Sequence, residues 1–157
     1  DPTLRLNVSA FIPDAYVADP HQRLSCYKRL SSCTQVGDLA LLHGEIQDRY
    51  GLAPDSVERL FEVMQVRLQA KALRLSTIEL KTHSVVVTLD VKSRVSSQAI
   101  HRMMDRYKKR VCFLSPLSFE LQMPHQDWPS IFPELTGILQ SLGGCDTNTT
   151  MPSCSSQ

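Results

Sequence analysis

The chain has 157 residues, 42% of them hydrophobic and 21% charged, with a formal net charge of +1. That is enough for one domain with a proper core. A charge so near neutral speaks against a dedicated nucleic-acid binder, and no apolar run approaches the roughly 18 residues of a membrane span.

Five cysteines are present, at positions 26, 33, 112, 145 and 154, with no CxxC pair. Their odd number, and the lack of a visible signal peptide, fit a reduced, cytosolic protein. The sequence opens on Asp1-Pro2 without a Met, which reads as a piece of a longer protein.

Leu4, Leu6, Val8 and Ala10 alternate with polar residues, which predicts a half-buried strand closed by Ile12-Pro13-Asp14. Asp19 as N-cap and Pro20 as first residue predict a helix with Leu24, Tyr27 and Leu30 inward and Arg23, Lys28 and Arg29 outward. Cys26 and Cys33, two turns apart, lack the further ligands a metal would need. After a loop over Ser31–Val36, Leu39, Leu42, Ile46 and Tyr50 recur at helical spacing, and Gly51 supplies a stop. On the same helix Glu45, Asp48 and Arg49 form a second, charged stripe. Its plain reading is a solvated face, with Glu45 and Arg49 as an i,i+4 pair worth about 0.2–0.5 kcal/mol.

A long helix should follow from Pro54 or Asp55, with Asp55 and Glu58 arranged like a capping box. Its inner stripe is Val57, Leu60, Phe61, Met64, Leu68 and Ala72, with Arg59, Glu62, Arg67, Lys71 and Arg74 on the other side. The period then changes to two. Ile78 and Leu80, and then Val85, Val87, Leu89 and Val91, predict a hairpin turning near Thr82-His83-Ser84. Ser96 caps another helix with Ile100, Met103, Met104 and Tyr107 inside, ending in Lys108-Lys109-Arg110. Those charges complement the helix dipole. A phosphate-contacting patch of Arg102, Arg106, Lys108, Lys109 and Arg110 is the sharper alternative. Val111–Leu114 and Leu117–Met123 read as strands joined through Ser115-Pro116, and Trp128-Pro129 leads into a last helix whose start Pro133 would mark. Residues 143–157 read as a disordered tail following a domain over 1–142.

No catalytic constellation stands out: there is no Gly-rich phosphate loop, HExxH, GxSxG or paired-cysteine zinc pattern. The residues alone predict an α+β single domain, its helical N-terminal half packed with an antiparallel or mixed β-sheet, and favour an interaction or regulatory module over an enzyme.

Four stretches in succession are family-like. They are Ala10-Phe11-Ile12-Pro13 with Tyr16 and Asp19; Arg23-Leu24; Tyr27-Lys28-Arg29-Leu30; and Glu45 with Asp48-Arg49-Tyr50-Gly51 and Pro54. Together, from about Leu4 to Leu142, the chain resembles the C-terminal domain of bacterial transcription-repair coupling factor (Mfd). The first 75 residues carry the specific motifs. The resemblance implies a non-catalytic piece of an ATP-dependent DNA translocase that displaces stalled RNA polymerase and recruits UvrA for nucleotide excision repair. It implies no cofactor for this piece, with ATP and Mg used by other domains of the parent. It also implies that the piece docks on the parent's N-terminal UvrB-like module and hides the UvrA-binding surface. Carried over by the motif, the interface residues are Glu45, Asp48 and Arg49. The alternative function is accessory DNA contact through the basic helix end.

Overall fold

A computed structural model describes residues 1–144. The elements in chain order are β1 (Thr3–Arg5), α1 (Pro20–Ser32), α2 (Val36–Tyr50), α3 (Asp55–Ala72), β2 (Leu75–Leu80), β3 (Ser84–Leu89), α4 (Ser97–Tyr107), a 3-10 turn (Lys108–Arg110), β4 (Val111–Ser115), β5 (Ser118–Gln122) and α5 (Trp128–Leu142). The strands form one sheet in the order β1-β2-β3-β5-β4. Only β1 runs parallel to its neighbour; the other pairings are antiparallel. This is the expected α+β domain with a mixed sheet.

The period of two decides which side of the sheet is core. Leu4, Ile78, Val87, Phe119 and Phe113 lie in one register row across the strands. They pack on α3, α4 and α5 in a cluster that includes Val66, Met103, Tyr107, Leu135 and Ile138. The opposite face carries the polar rows Thr3, Thr77, Thr88, Ser118, Ser115 and Arg5, Glu79, Val86, Glu120, Cys112. A second cluster joins α1 and α2 to the far side of α3, through Leu30, Leu39, Leu42, Ile46, Val57 and Phe61. So α3 is a wall shared by two cores. Val66 and Ala70 face the sheet cluster, while Val57 and Phe61 face α1 and α2.

That two-sided burial overrides the single stripe expected for α3. Ala72 is exposed, and Glu62, expected outside, accepts a 2.5 Å hydrogen bond from Trp128 Nε1. Glu58 does not reach back to cap the helix; it meets His43 Nε2 at 2.9 Å. Helix α1 is rotated from expectation. Cys26 and Leu30 are buried, while Leu24 is 52% exposed. The β1 ladder spans three residues, because Asn7 takes φ 51° and turns the chain away. The chain then crosses to α3, where Phe11 N–H donates to the Ser56 carbonyl and Arg59 Nε to the Ser9 carbonyl.

In the second half, Ser96 caps α4 as expected, its hydroxyl accepting from Ala99 N–H at 3.0 Å. Met104 and Val91 point outward instead of inward. Helix α5 starts at Trp128 under an Asp127 cap, and Pro133 lies inside it. That proline removes one donor early in the helix, and Thr136 Oγ1 donates back to the Phe132 and Pro133 carbonyls nearby. Of the expected tail, Gly143 and Gly144 are described, with Gly143 capping α5; residues 145–157 lie outside the described residues.

Candidate docking face

Helix α2 is held at both ends and along its inner face. At its start, Asp38 Oδ2 accepts the backbone N–H groups of Thr34 and Gln35, each at 3.0 Å. Those bonds, Thr34 first, hold the Asp38 carboxyl below its ordinary range. At its end Gly51 adopts φ 92°, a conformation open to glycine, and its N–H returns to the Gln47 carbonyl at 2.9 Å. Tyr16 Oη donates to the Gly51 carbonyl at 2.6 Å, and Tyr50 Oη donates to Gln22 Oε1 of α1 at 2.9 Å. Leu39, Leu42 and Ile46 are buried. The His43 ring meets Phe61 edge-on at 5.0 Å while its Nε2 reaches Glu58 of α3.

With the inner face locked, the opposite stripe is fixed in direction. Glu45, Asp48 and Arg49 are all exposed. Glu45 pairs with Arg29 of α1 rather than with Arg49. Both side chains of that pair are more than half exposed, so it contributes at most about 1 kcal/mol. Arg49 lies over the Tyr50 ring, its guanidinium carbon 5.4 Å from the centroid. Asp48 has no side-chain partner among the described residues. Leu41, one turn before Glu45, is 73% exposed, and Leu52 beyond the cap is 88% exposed. Along α2 the exposed face thus runs from an apolar residue, Leu41, into the charged stripe.

Leu41 was legible as part of this face, since Leu41, Glu45 and Asp48 follow i, i+4, i+7. Arg29 was not, because its role depends on how α1 crosses α2. Between these helices lies a cleft of about 150 Å³, with Cys26 at its floor and Arg29 and Arg49 on its rim. Burial pushes the Cys26 thiol up, against the opposing pull of the two guanidiniums.

The basic helix end is less available than its sequence suggests. Arg110 donates to the Gln122 carbonyl, pairs with Glu134 and lies over the Tyr107 ring. Arg106 also lies over Tyr107, at 5.6 Å. Arg102, Lys108 and Lys109 are exposed, and Lys108 turns the chain at φ 48°. The five residues therefore do not form one open patch. Among the described residues there is no group of three or more His, Cys, Asp or Glu that could hold a metal, and no helix long and apolar enough to cross a membrane.

Residues 6–100 match the family model of the TRCF domain. The chain is 37% identical over 108 residues to the transcription-repair-coupling factor of Myxococcus xanthus, a match covering 69% of this chain and 9% of that protein. It is 27% identical over 124 residues to the Haemophilus influenzae protein of the same name, covering 79% and 11%. The chain therefore spans about a tenth of the length of these relatives. A crystal structure of the C-terminal domain of transcription-repair coupling factor superposes with a TM-score of 0.82, at 18% identity, covering 92% of this chain and 93% of that one. The family match, the relatives and the shared fold agree, and the chain belongs to the TRCF domain family, the family of the C-terminal domain of transcription-repair coupling factor.

Proposed function

We propose that residues 1–142 form a non-catalytic regulatory domain. It docks on the N-terminal UvrB-like module of its own parent protein and covers the surface that UvrA needs. The parent would be a cytoplasmic, ATP- and Mg-dependent DNA translocase that acts on stalled RNA polymerase. The observation that carries this reading is the outward stripe of α2, where Glu45, Asp48 and Arg49 stand exposed between Leu41 and Leu52. Charges of both signs set register and partner choice, while the leucines supply apolar anchoring. A latch that must reopen suits such a small, mostly polar contact. Contact with DNA through Arg102, Arg106, Lys108 and Lys109 is the weaker reading, because Arg110 is already engaged with Glu134.

The test is calorimetric binding of this chain to the UvrB-like module, beside the double variant Asp48→Lys/Arg49→Glu. The reading expects binding that the double reversal abolishes without changing the melting curve. Equal affinity of the double variant overturns it. So does a lack of contact even when the two parts are joined by a flexible linker, which raises their effective concentration to the millimolar range.

A further inference from the structure

We propose that the cleft between α1 and α2 receives one carboxylate side chain, Asp or Glu, from the docked partner and holds it between Arg29 and Arg49. This rests on the docking reading above and names the chemistry of one contact within it.

Two guanidiniums and one carboxylate, Glu45, line this cleft. Glu45 is committed to Arg29. Arg49 has no carboxylate partner among the described residues and rests on the Tyr50 ring. One positive charge in the cleft is thus uncompensated. The other polar groups on the walls suit an anion. Ser25 brings a hydroxyl. Gln22 has its carbonyl oxygen occupied by Tyr50 Oη, which leaves its amide N–H groups to donate. Arg29 stands on α1 and Arg49 on α2, so the two guanidiniums line the cleft from opposite helices.

Size and shape then choose the ligand. About 150 Å³ admits the end of one acidic side chain, not a nucleotide. The floor, Cys26 and Ile46, is buried, so an incoming group must arrive on a narrow stem. A carboxylate on a protein side chain has that stem, and a planar guanidinium receives it through two parallel hydrogen bonds. A phosphate within a duplex backbone does not. The docking face would then read both signs: Asp48 seeks a cation on the partner, and the cleft one residue away seeks an anion.

Arg29→Met is made both alone and in the Glu45→Gln background, because Arg29 pairs with Glu45 of the docking stripe; in that background a loss on removing Arg29 no longer reports the pair. The proposal expects Arg29→Met, in either background, and Arg49→Met each to weaken docking to the linked UvrB-like module at least tenfold, with Arg29→Lys recovering part of the loss. If Asp48→Lys weakens docking while Arg29→Met in the Glu45→Gln background leaves it unchanged, the cleft is refuted and the docking reading stands. If no docking is found, that reading fails, and inorganic phosphate decides on the cleft. Saturable shifts of the backbone amides of residues 22–29 and 45–50, at constant ionic strength and lost in Arg49→Met, would support an anion site. Their absence, or their persistence in Arg49→Met, would overturn it.

Discussion

Arg74 follows the last turn of α3 with φ 54°, a left-handed conformation that an L side chain adopts only at a cost. Its backbone is fully used: the N–H donates to the Lys71 carbonyl at 3.1 Å, and its own carbonyl accepts from Asp90 N–H at 3.2 Å. Its side chain is exposed. Replacing it with glycine keeps both backbone bonds and removes the Cβ clash, a gain of roughly 1–2 kcal/mol. Against this stands the greater freedom of glycine in the unfolded chain, about 0.5–1 kcal/mol. Arg74→Gly should therefore stabilise the domain by about 0.5–1 kcal/mol, a rise in melting temperature of roughly 1–4 °C for a chain of this size. Arg74→Ala is the control, since it removes the same side chain but keeps the strained Cβ. Thermal unfolding followed by circular dichroism separates them. If Arg74→Gly melts no higher than Arg74→Ala, the left-handed strain is not the controlling quantity and the reasoning fails.

Three further expectations concern stability. Ile46→Ala, at a buried position of α2 in the second cluster, should cost about 2–5 kcal/mol in urea unfolding; a loss below about 1 kcal/mol would mean that this cluster is loosely packed. Trp128→Phe removes the donor to Glu62 and should cost about 1–3 kcal/mol, read by circular dichroism because the chain holds one tryptophan; Trp128→Phe combined with Glu62→Leu should then recover part of the loss. The carboxyls of Asp38 and Asp127 are both held low, Asp38 by backbone donors and Asp127 chiefly by the Ser130 hydroxyl. Their stabilising contribution is complete above the ordinary carboxylate pKa and is lost as acid carries the pH down through the depressed values. Asp38→Ala should accordingly flatten the acid limb of the stability curve, and an unchanged acid limb would contradict that assignment.

The elements were legible in the sequence because each carries one clear period. The caps at Asp19, Gly51 and Ser96 marked ends that the structure keeps. What the sequence concealed were relations between elements. The α3 stripe concealed a second buried side, because a helix between two cores shows apolar and long polar residues all round; Glu62 reads as solvent-facing until Trp128 donates to it, and Arg67 is only partly exposed, with its Nε buried. On α1, Leu24 and Cys26 are both apolar enough to face inward, and only the docking of α2 selects Cys26. For the candidate site, the direction of Glu45, Asp48 and Arg49 followed from the helical period. The Arg29 partner of Glu45 did not, since nothing in local spacing records how two helices cross. The first strand ends early for a reason no alternation pattern carries, the turn at Asn7.

The shared wall α3 also has a mechanical meaning. A partner gripping Leu41, Asp48 and Arg49 pulls on α2, and α2 is tied to the sheet chiefly through α3. Force applied at the docking face would thus reach the strands by one strut. The polar His43–Glu58 contact, lying at the edge of that joint, would be loaded before the buried leucines behind it. A tug strong enough to part α2 from α3 would leave the sheet and α5 standing. The domain could then release its grip by yielding at one seam rather than by unfolding as a whole.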